Sequence, residues 1–371
     1  MANRKLLQDR LRSCGLSDDP KYHFLLGPLG LLITLAEKVE LEAIGRRAAE
    51  LVKTVDSWYA REREQPSGSR WPGLLHRGLA NEYINFPWRP AIPITFMVDT
   101  VWTTEGWRVV EVDVTNRNAM GYPLLMRGLY DLSSLWRGLP EEWRSKGWNG
   151  TTQIMASHHR YYDPYFRHFL QSLNGELITE EELPAWLERG MTAETKLLDL
   201  PILYRSKPVL PKLLEVARDL PIAIPPKHYL SSKAVLALPW ETDELRDHPI
   251  TAYLPETRLI RKHGLLPTGN FFVKLLQSGG AHGTFYNDHA SLTRFAKERR
   301  PQAVWQQALP IATRPAAYLN DDGTLVEGNF YVRISLFVNC EGEVVDADAT
   351  CSPNVIVHGS KESIMTVPVL S

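Results

Sequence analysis

The stretch Thr95–Pro123, TFMVDTVWTTEGWRVVEVDVTNRNAMGYP, constrains the chain most. Ile94–Trp102 is apolar and β-branched with polar interruptions. Thr103-Thr104-Glu105-Gly106 has turn chemistry, and Trp107–Val114 alternates, which puts Val110, Val112 and Val114 on one face. Two such runs around a Gly-containing turn predict a β-hairpin. Asp99 lies in the first strand, while Glu111 and Asp113 share a face of the second by the two-residue period. With the tip at Thr104–Glu105, Asp99 falls roughly opposite Arg108–Glu111. Strand interiors are poor places for acids, and like charges side by side repel. A solvated hairpin face accommodates three acids. So does Mg²⁺, which takes carboxylate and phosphate oxygens together.

Length decides how much surrounds this hairpin. At 371 residues the chain needs more than one core, and two or three subdomains are expected. A net charge of −1 gives no overall field toward nucleic acid or an anionic membrane, and neither is expected as a partner. Cys14, Cys340 and Cys351 are an odd number with no CxxC, so no disulfide framework is expected and a cytoplasmic setting fits. The N-terminus lacks the apolar core of a signal peptide. The longest apolar run, Phe24–Ala36, is short and broken by Gly27, Pro28 and Gly30, so no membrane-spanning helix is expected.

Along the chain, Leu29–Arg63 carries apolar residues at helical spacing and predicts one long or two consecutive packing helices. Leu124–Trp136 reads as a helix. Gln153–Ala156 (strand), Tyr161–Leu173 (helix), Glu180–Glu188 (helix) and Pro201–Tyr204 (strand) alternate as a small α/β unit does. His158-His159 has no further ligands at metal spacing, and a loop or capping role suits the pair better. The resulting division is 1–90 mainly helical, 91–150 around the acidic hairpin, 151–220 the small α/β unit, and 221–371 the remainder.

The last part holds a second feature, Asn270–Phe285, NFFVKLLQSGGAHGTF. An apolar strand with the single Lys274 runs into Gly279, Gly280 and Gly283. Successive glycines let backbone N–H groups converge on phosphate oxygens, and the lysine adds a point charge. No Gly-Lys-Ser/Thr leads into a helix, so this is not a Walker A loop. A glycine-rich hairpin with a snorkelling lysine fits the same letters. Upstream, Ser231-Ser232-Lys233 precedes the apolar run Ala234–Leu238. Downstream, Ala303–Pro310 is a strand containing Gln306 and Gln307, and Phe330–Asn339 is an alternating strand with Arg333 inside it. A strand-borne arginine needs an anion, either a phosphate or a carboxylate across the sheet. Gly342–Asp348 continues as a hairpin, and Asn354–His358 reads as a last strand.

Lys233 on a strand, Lys274 with its glycine loop, Gln306-Gln307 and then Arg333 follow the order of an ATP-grasp domain. Asp99 and Glu111-x-Asp113 lie before these elements rather than after them. The whole pattern, over about residues 91–371, resembles the circularly permuted ATP-grasp ligases, of which glutathionylspermidine synthase is the familiar case. The resemblance implies an α+β ATP-grasp architecture with a helical N-terminal segment, and an ATP- and Mg²⁺-dependent carboxylate–amine ligase working through an acyl phosphate. It implies Mg²⁺ on Asp99, Glu111 and Asp113. Lys233 and Lys274 would meet nucleotide phosphates under a lid of Gly279, Gly280 and Gly283. Gln306, Gln307 and Leu309 would line the adenine and ribose site. Arg333 would steady the transferring phosphoryl group, and Asn116, Arg117 and Asn118 would meet a substrate carboxylate. The substrates so implied are a small carboxylate and an amine among amino acids, peptides and polyamines. The family usually has Asn where Asp113 stands and often Arg where Met97 stands. A catalytically altered nucleotide-binding protein on the same fold, and an unrelated metal-dependent hydrolase using His158 or His159, are the alternatives.

Overall fold

The structure is a computed structural model that describes residues 25–63, 74–76, 79, 89, 91–115, 120–155, 163–179, 181–190, 192, 194–200, 210–265, 267–277, 283–298, 302–320, 322–357 and 363–371. Its strands in chain order are β1 (Leu25–Leu26), β2 (Leu31–Ile33), β3 (Thr95–Thr103), β4 (Gly106–Asp113), β5 (Thr151–Met155), β6 (Glu176–Thr179), β7 (Lys196–Asp199), β8 (Ile222–Ile224), β9 (Thr257–Leu259), β10 (Phe271–Leu275), β11 (Thr284–Tyr286), β12 (Ala303–Gln307), β13 (Thr313–Leu319), β14 (Leu325–Asn339), β15 (Val344–Ser352), β16 (Ile364–Thr366) and β17 (Pro368–Leu370).

The expected first helix begins later than its apolar pattern. Leu31–Ile33 pairs with Pro368–Leu370 as a strand, and the helix α1 spans Leu35–Arg63. Its start is fixed by a reciprocal cap: Thr34 N–H donates to Glu37 Oε2 at 2.7 Å, and Glu37 N–H donates to Thr34 Oγ1 at 3.2 Å. This capping box satisfies two donors that a helix start leaves open. Leu41, Ile44, Ala48, Leu51, Val52 and Val55 recur on one face and are all buried.

That face lies on the central seven-stranded sheet, whose order is β1-β16-β15-β14-β3-β4, with β13 also on β14. The long strand β14 serves two neighbours along one side: Leu325–Tyr331 pairs β13, and Arg333–Asn339 pairs β3. Val98, Val112, Ile334, Leu336 and Ala347 form the sheet's contribution to the core under α1. On the opposite face, Met97, Phe337 and Val345 pack with Leu139 and Trp143 of α2 (Leu139–Ser145) and with Phe169 of α3 (Asp163–Ser172). A four-stranded parallel sheet, β6-β5-β7-β8, adjoins this side, with Ile94 N–H donating to Ala223 O. A separate antiparallel sheet, β11-β10-β12-β9, stands beside the free edge of β4.

Several expectations change. The helix read over Leu124–Trp136 is Tyr122–Tyr130 and ends with Asp131 in the left-handed region at φ 54°. Asn354–Ile356 forms bends, and the last strands are β16 and β17. Pro201–Tyr204 lies outside the described residues, and the strand of that region is β7. Among the described residues no helix is long and apolar enough to cross a membrane.

The β14–β15 turn reaches α1 through two glycines. Gly342 has φ +95°, and a Cβ there would lie 3.0 Å from the Cα of Arg46. A Cβ on Gly45 would lie 2.8 Å from Val344 Cγ2 and 3.3 Å from the Gly342 carbonyl oxygen. Gly342→Ala therefore combines a disfavoured backbone angle with a collision against helix backbone. We expect it to lower the unfolding free energy by roughly 1–2 kcal/mol, read as a lower urea midpoint at unchanged slope. An unchanged midpoint would show that the turn moves freely off the helix.

Candidate active site

The predicted hairpin is present, with Asp99 directly opposite Glu111. The register then slips. Thr100 faces Val109, so Val110 is the extra residue of a β-bulge. This corrects the expected valine face. Val109, Val112 and Val114 are in the core with Trp107, and Val110 is not. The bulge leaves the Val110 carbonyl outside the ladder, where it accepts a 3.0 Å hydrogen bond from Lys274 Nζ.

Residues directly opposite one another in a ladder project to the same face. Glu111, Asp99, Ser335 and Asp348 are successive partners across β4, β3, β14 and β15, and so form one polar row. Two residues along, the next row reads Asp113, Met97, Phe337 and Asp346. The apolar cover of Met97 and Phe337 thus stops where the carboxylates begin. In the other direction lie Arg333 and Thr350, also paired.

Cations enter this row from two sides. Lys233 was expected on a strand. It instead directly precedes the helix α4 (Ala234–Glu241), as its N-cap, and forms a short ion pair with Glu111 Oε1. Its segment is braced from both ends. Ser231 Oγ donates to Asp113 Oδ1 at 2.8 Å and accepts from Val114 N–H at 3.0 Å. Lys227 Nζ reaches Asp56 of α1 at 2.8 and 2.7 Å, and Tyr229 Oη donates to the same carboxylate at 2.5 Å. Arg333 pairs with Asp99, Nη1 to Oδ2 at 3.3 Å, so its anion here is the carboxylate across the sheet.

The charges answer to these neighbours. Burial raises the Asp99 carboxyl above its usual range, with Arg333 opposing and Glu111 adding to the rise. Burial works the same way on Glu111, but the charges of Lys233 and Lys274 prevail and hold it below its usual range. Burial, abetted by the Lys233 charge and opposed by Glu111, brings Lys274 down to about 8. Burial pushes Asp348 up to about 7 against the pull of Arg333. Sequence reading missed Asp348 and Ser335. The signal was present as Asp346 and Asp348 at strand period in β15.

Asp113 lies one row from Glu111 on the same face, and its charge acts on Asp99 and Lys233. Its Oδ1 accepts from Ser231, Thr115 N–H and Thr115 Oγ1. Among the described residues no group of three or more His, Cys, Asp and Glu side chains is placed to hold a metal ion. Met97, standing where the family often has arginine, is buried among apolar side chains. Gln306 is buried on the Lys274 side of its sheet and donates to Thr257 Oγ1 at 3.1 Å, whereas the period-two pleat puts the exposed Gln307 on the other side. Leu309 is half-buried just past β12, and Gly283 O accepts from Leu275 N–H at 2.9 Å. Asn116, Arg117, Asn118, His158, His159, Gly279 and Gly280 lie outside the described residues.

The mixed α+β fold is similar to that of a solved glutathione synthetase-like structure. A glutathione synthetase like-effector (GSS30) from Globodera pallida, solved in apoform, superposes with a TM-score of 0.60 at 12% identity, covering 100% of this chain and 98% of that one. A putative gamma-glutamylcysteine synthetase from Methylobacillus flagellatus KT matches with a TM-score of 0.35 at 10% identity, over 90% and 87% of the two chains. No protein-family model matches, and neither does any curated protein.

The two cysteines among the described residues, Cys340 and Cys351, are held as thiols. Burial pushes the Cys340 thiol up to about 11, and Cys351 up to about 12. At pH 8 a group of pKa about 11 is thiolate in about one molecule in a thousand. Peptide-level mass spectrometry after iodoacetamide at pH 8 should find both nearly unmodified in the native chain and fully modified in urea. Fast native labelling of Cys351 would contradict its burial in β15.

Proposed function

We propose that the chain is an ATP- and Mg²⁺-dependent ligase of circularly permuted ATP-grasp type, joining a small carboxylate to an amine through an acyl phosphate. One observation carries the reading. Two buried lysines from different elements, Lys233 ahead of α4 and Lys274 in β10, converge on Glu111, which faces Asp99. A protein seldom gathers two ammonium groups and two carboxylates in a buried patch unless a ligand of matching charge belongs there. The fold shared with a protein described as glutathione synthetase like supports the same class of reaction.

The residues fit Mg²⁺ held jointly with phosphate. Such an ion takes one or two carboxylates plus substrate oxygens rather than an all-protein cage. Asp99 Oδ1 is buried with no hydrogen-bond partner, as a group awaiting an external cation is. Asp99 and Glu111 would hold the ion, whose contribution is to neutralise charge on the phosphate oxygens. Asp113, whose Oδ1 fixes Ser231 and through it the Lys233 segment, would be the third carboxylate at the ion.

In this reading Lys233 and Lys274 exchange Glu111 and the Val110 carbonyl for phosphate oxygens. Arg333 turns toward the transferring phosphoryl group. The substrate carboxylate oxygen attacks the γ-phosphorus and ADP leaves. The amine nitrogen then attacks the acyl carbon, loses a proton, and phosphate leaves. The protein positions and neutralises charge without a nucleophilic side chain. Amino acids, short peptides and polyamines are the substrates to screen. Gly279, Gly280 and Gly283 belong to the proposed lid, Gln306 and Leu309 to the base pocket, and Asn116, Arg117 and Asn118 to the carboxylate subsite. Gln307 would contribute main chain only.

ATP with Mg²⁺ should raise the melting temperature, and Asp99→Asn should abolish the metal-dependent part. With an accepted acid–amine pair, Glu111→Gln and Lys274→Met should each slow ADP formation by about 10²-fold or more while far-UV circular dichroism is unchanged. Wild-type turnover in either variant, or no shift with any nucleotide, would sink the reading.

A further inference from the structure

β15 carries two acids on one face that have opposite fates. Asp346 is fully used. Arg127 Nη1 and Nη2 reach its two oxygens at 2.6 and 2.7 Å, and the N–H groups of Leu139 and Ala347 donate at 3.1 and 2.9 Å. Asp348, two residues on, is 1% exposed, and its Oδ1 has no hydrogen-bond partner. Beside it, Arg333 Nε is likewise buried without a partner. The guanidinium instead bridges the two neighbouring strands, with Nη2 donating to Thr350 Oγ1 at 3.4 Å and Nη1 on Asp99 Oδ2 at 3.3 Å. A donor and an acceptor of opposite charge thus stand unused in one buried place, which is costly in any single state.

We propose that Asp348 is a positioning residue for Arg333, a second resting place for the guanidinium when a divalent cation takes Asp99. The inference rests on reading Asp99 and Glu111 as metal-binding carboxylates. Asp99 cannot serve both cations well. Its Oδ2 is held by Arg333, and a bound divalent ion would repel the guanidinium beside it. Displaced with no anion to receive it, Arg333 would be a buried unpaired charge and would oppose metal binding. Asp348 lies on the other side of Ser335 in the same row, and its field already acts on Arg333. Asp348 touches neither metal nor substrate in this scheme. It makes room for the metal by accepting the arginine.

The test titrates Mn²⁺ into the full chain holding saturating ADP, because the ion is shared with phosphate oxygens, and reads free Mn²⁺ by electron paramagnetic resonance against an ADP-only control. Asp348→Asn keeps the shape and removes the charge; Asp348→Ser replaces it if the first does not fold. The variant should weaken Mn²⁺ binding by about tenfold, within the usual range for coupled sites. In an Arg333→Gln background the same substitution should change binding by less than about twofold, because the group to be received is gone. An equal loss in both backgrounds would make Asp348 a plain source of negative field and overturn the proposal. So would no loss in either, or no Mn²⁺ binding by the ADP-bound wild-type chain beyond the ADP-only control. No acid–amine pair is present, so failure of the ligase reading shows as an absent nucleotide shift or absent turnover, and failure of this one as an equal or absent loss in the two backgrounds with ADP bound.

Discussion

Glu111 is the group on which the arrangement turns. It is a carboxylate in an edge strand, with Asp99 opposite and two lysines brought from another part of the chain. Remove the lysines and Asp99 and Glu111 repel in a partly dry setting. Remove the acids and two ammonium groups are stranded. Breaking one side of a buried ionic group typically costs several kcal/mol, far more than an exposed pair is worth. Folding of the second sheet against the first is thus tied to charge balance at one point.

This balance also explains why the surrounding structure is so heavily braced. Lys233 must arrive at the end of the segment that follows β8. That segment is held to α1 through Asp56 and to β4 through Asp113. Asp113, which pattern alone assigns to a metal, is engaged as a fastening. The bulge at Val110 has a similar logic. One surplus residue breaks the valine alternation, and the carbonyl it leaves over is what Lys274 holds.

What the sequence made legible follows the range of the forces involved. The hairpin, its turn and the shared face of Glu111 and Asp113 are local matters of alternation, and they are found where expected. The bulge is not visible in a string of valines, because it depends on what lies across the ladder. Thr34-x-x-Glu37 is a capping box in plain sight, yet the apolar run Leu29–Ile33 masks the helix start by continuing its pattern into a strand. Ala234–Leu238 is five apolar residues, too few for period to separate strand from helix, and the structure makes it α4. Asp348 escaped because its importance lies in register: only the pairing of β3, β14 and β15 brings it into line with Asp99.

β4 lies at the outer margin of the central sheet, with a row of main-chain groups facing sideways. Such margins are the usual route by which sheets of separate molecules zip together. Here the second sheet stands guard over that margin through the Lys274 contact. Any loosening of the two sheets that admits a large ligand also bares a strand able to template aggregation. The tightness of the charged seam therefore bears on colloidal behaviour as well as on chemistry, and selection for easier access would run against solubility.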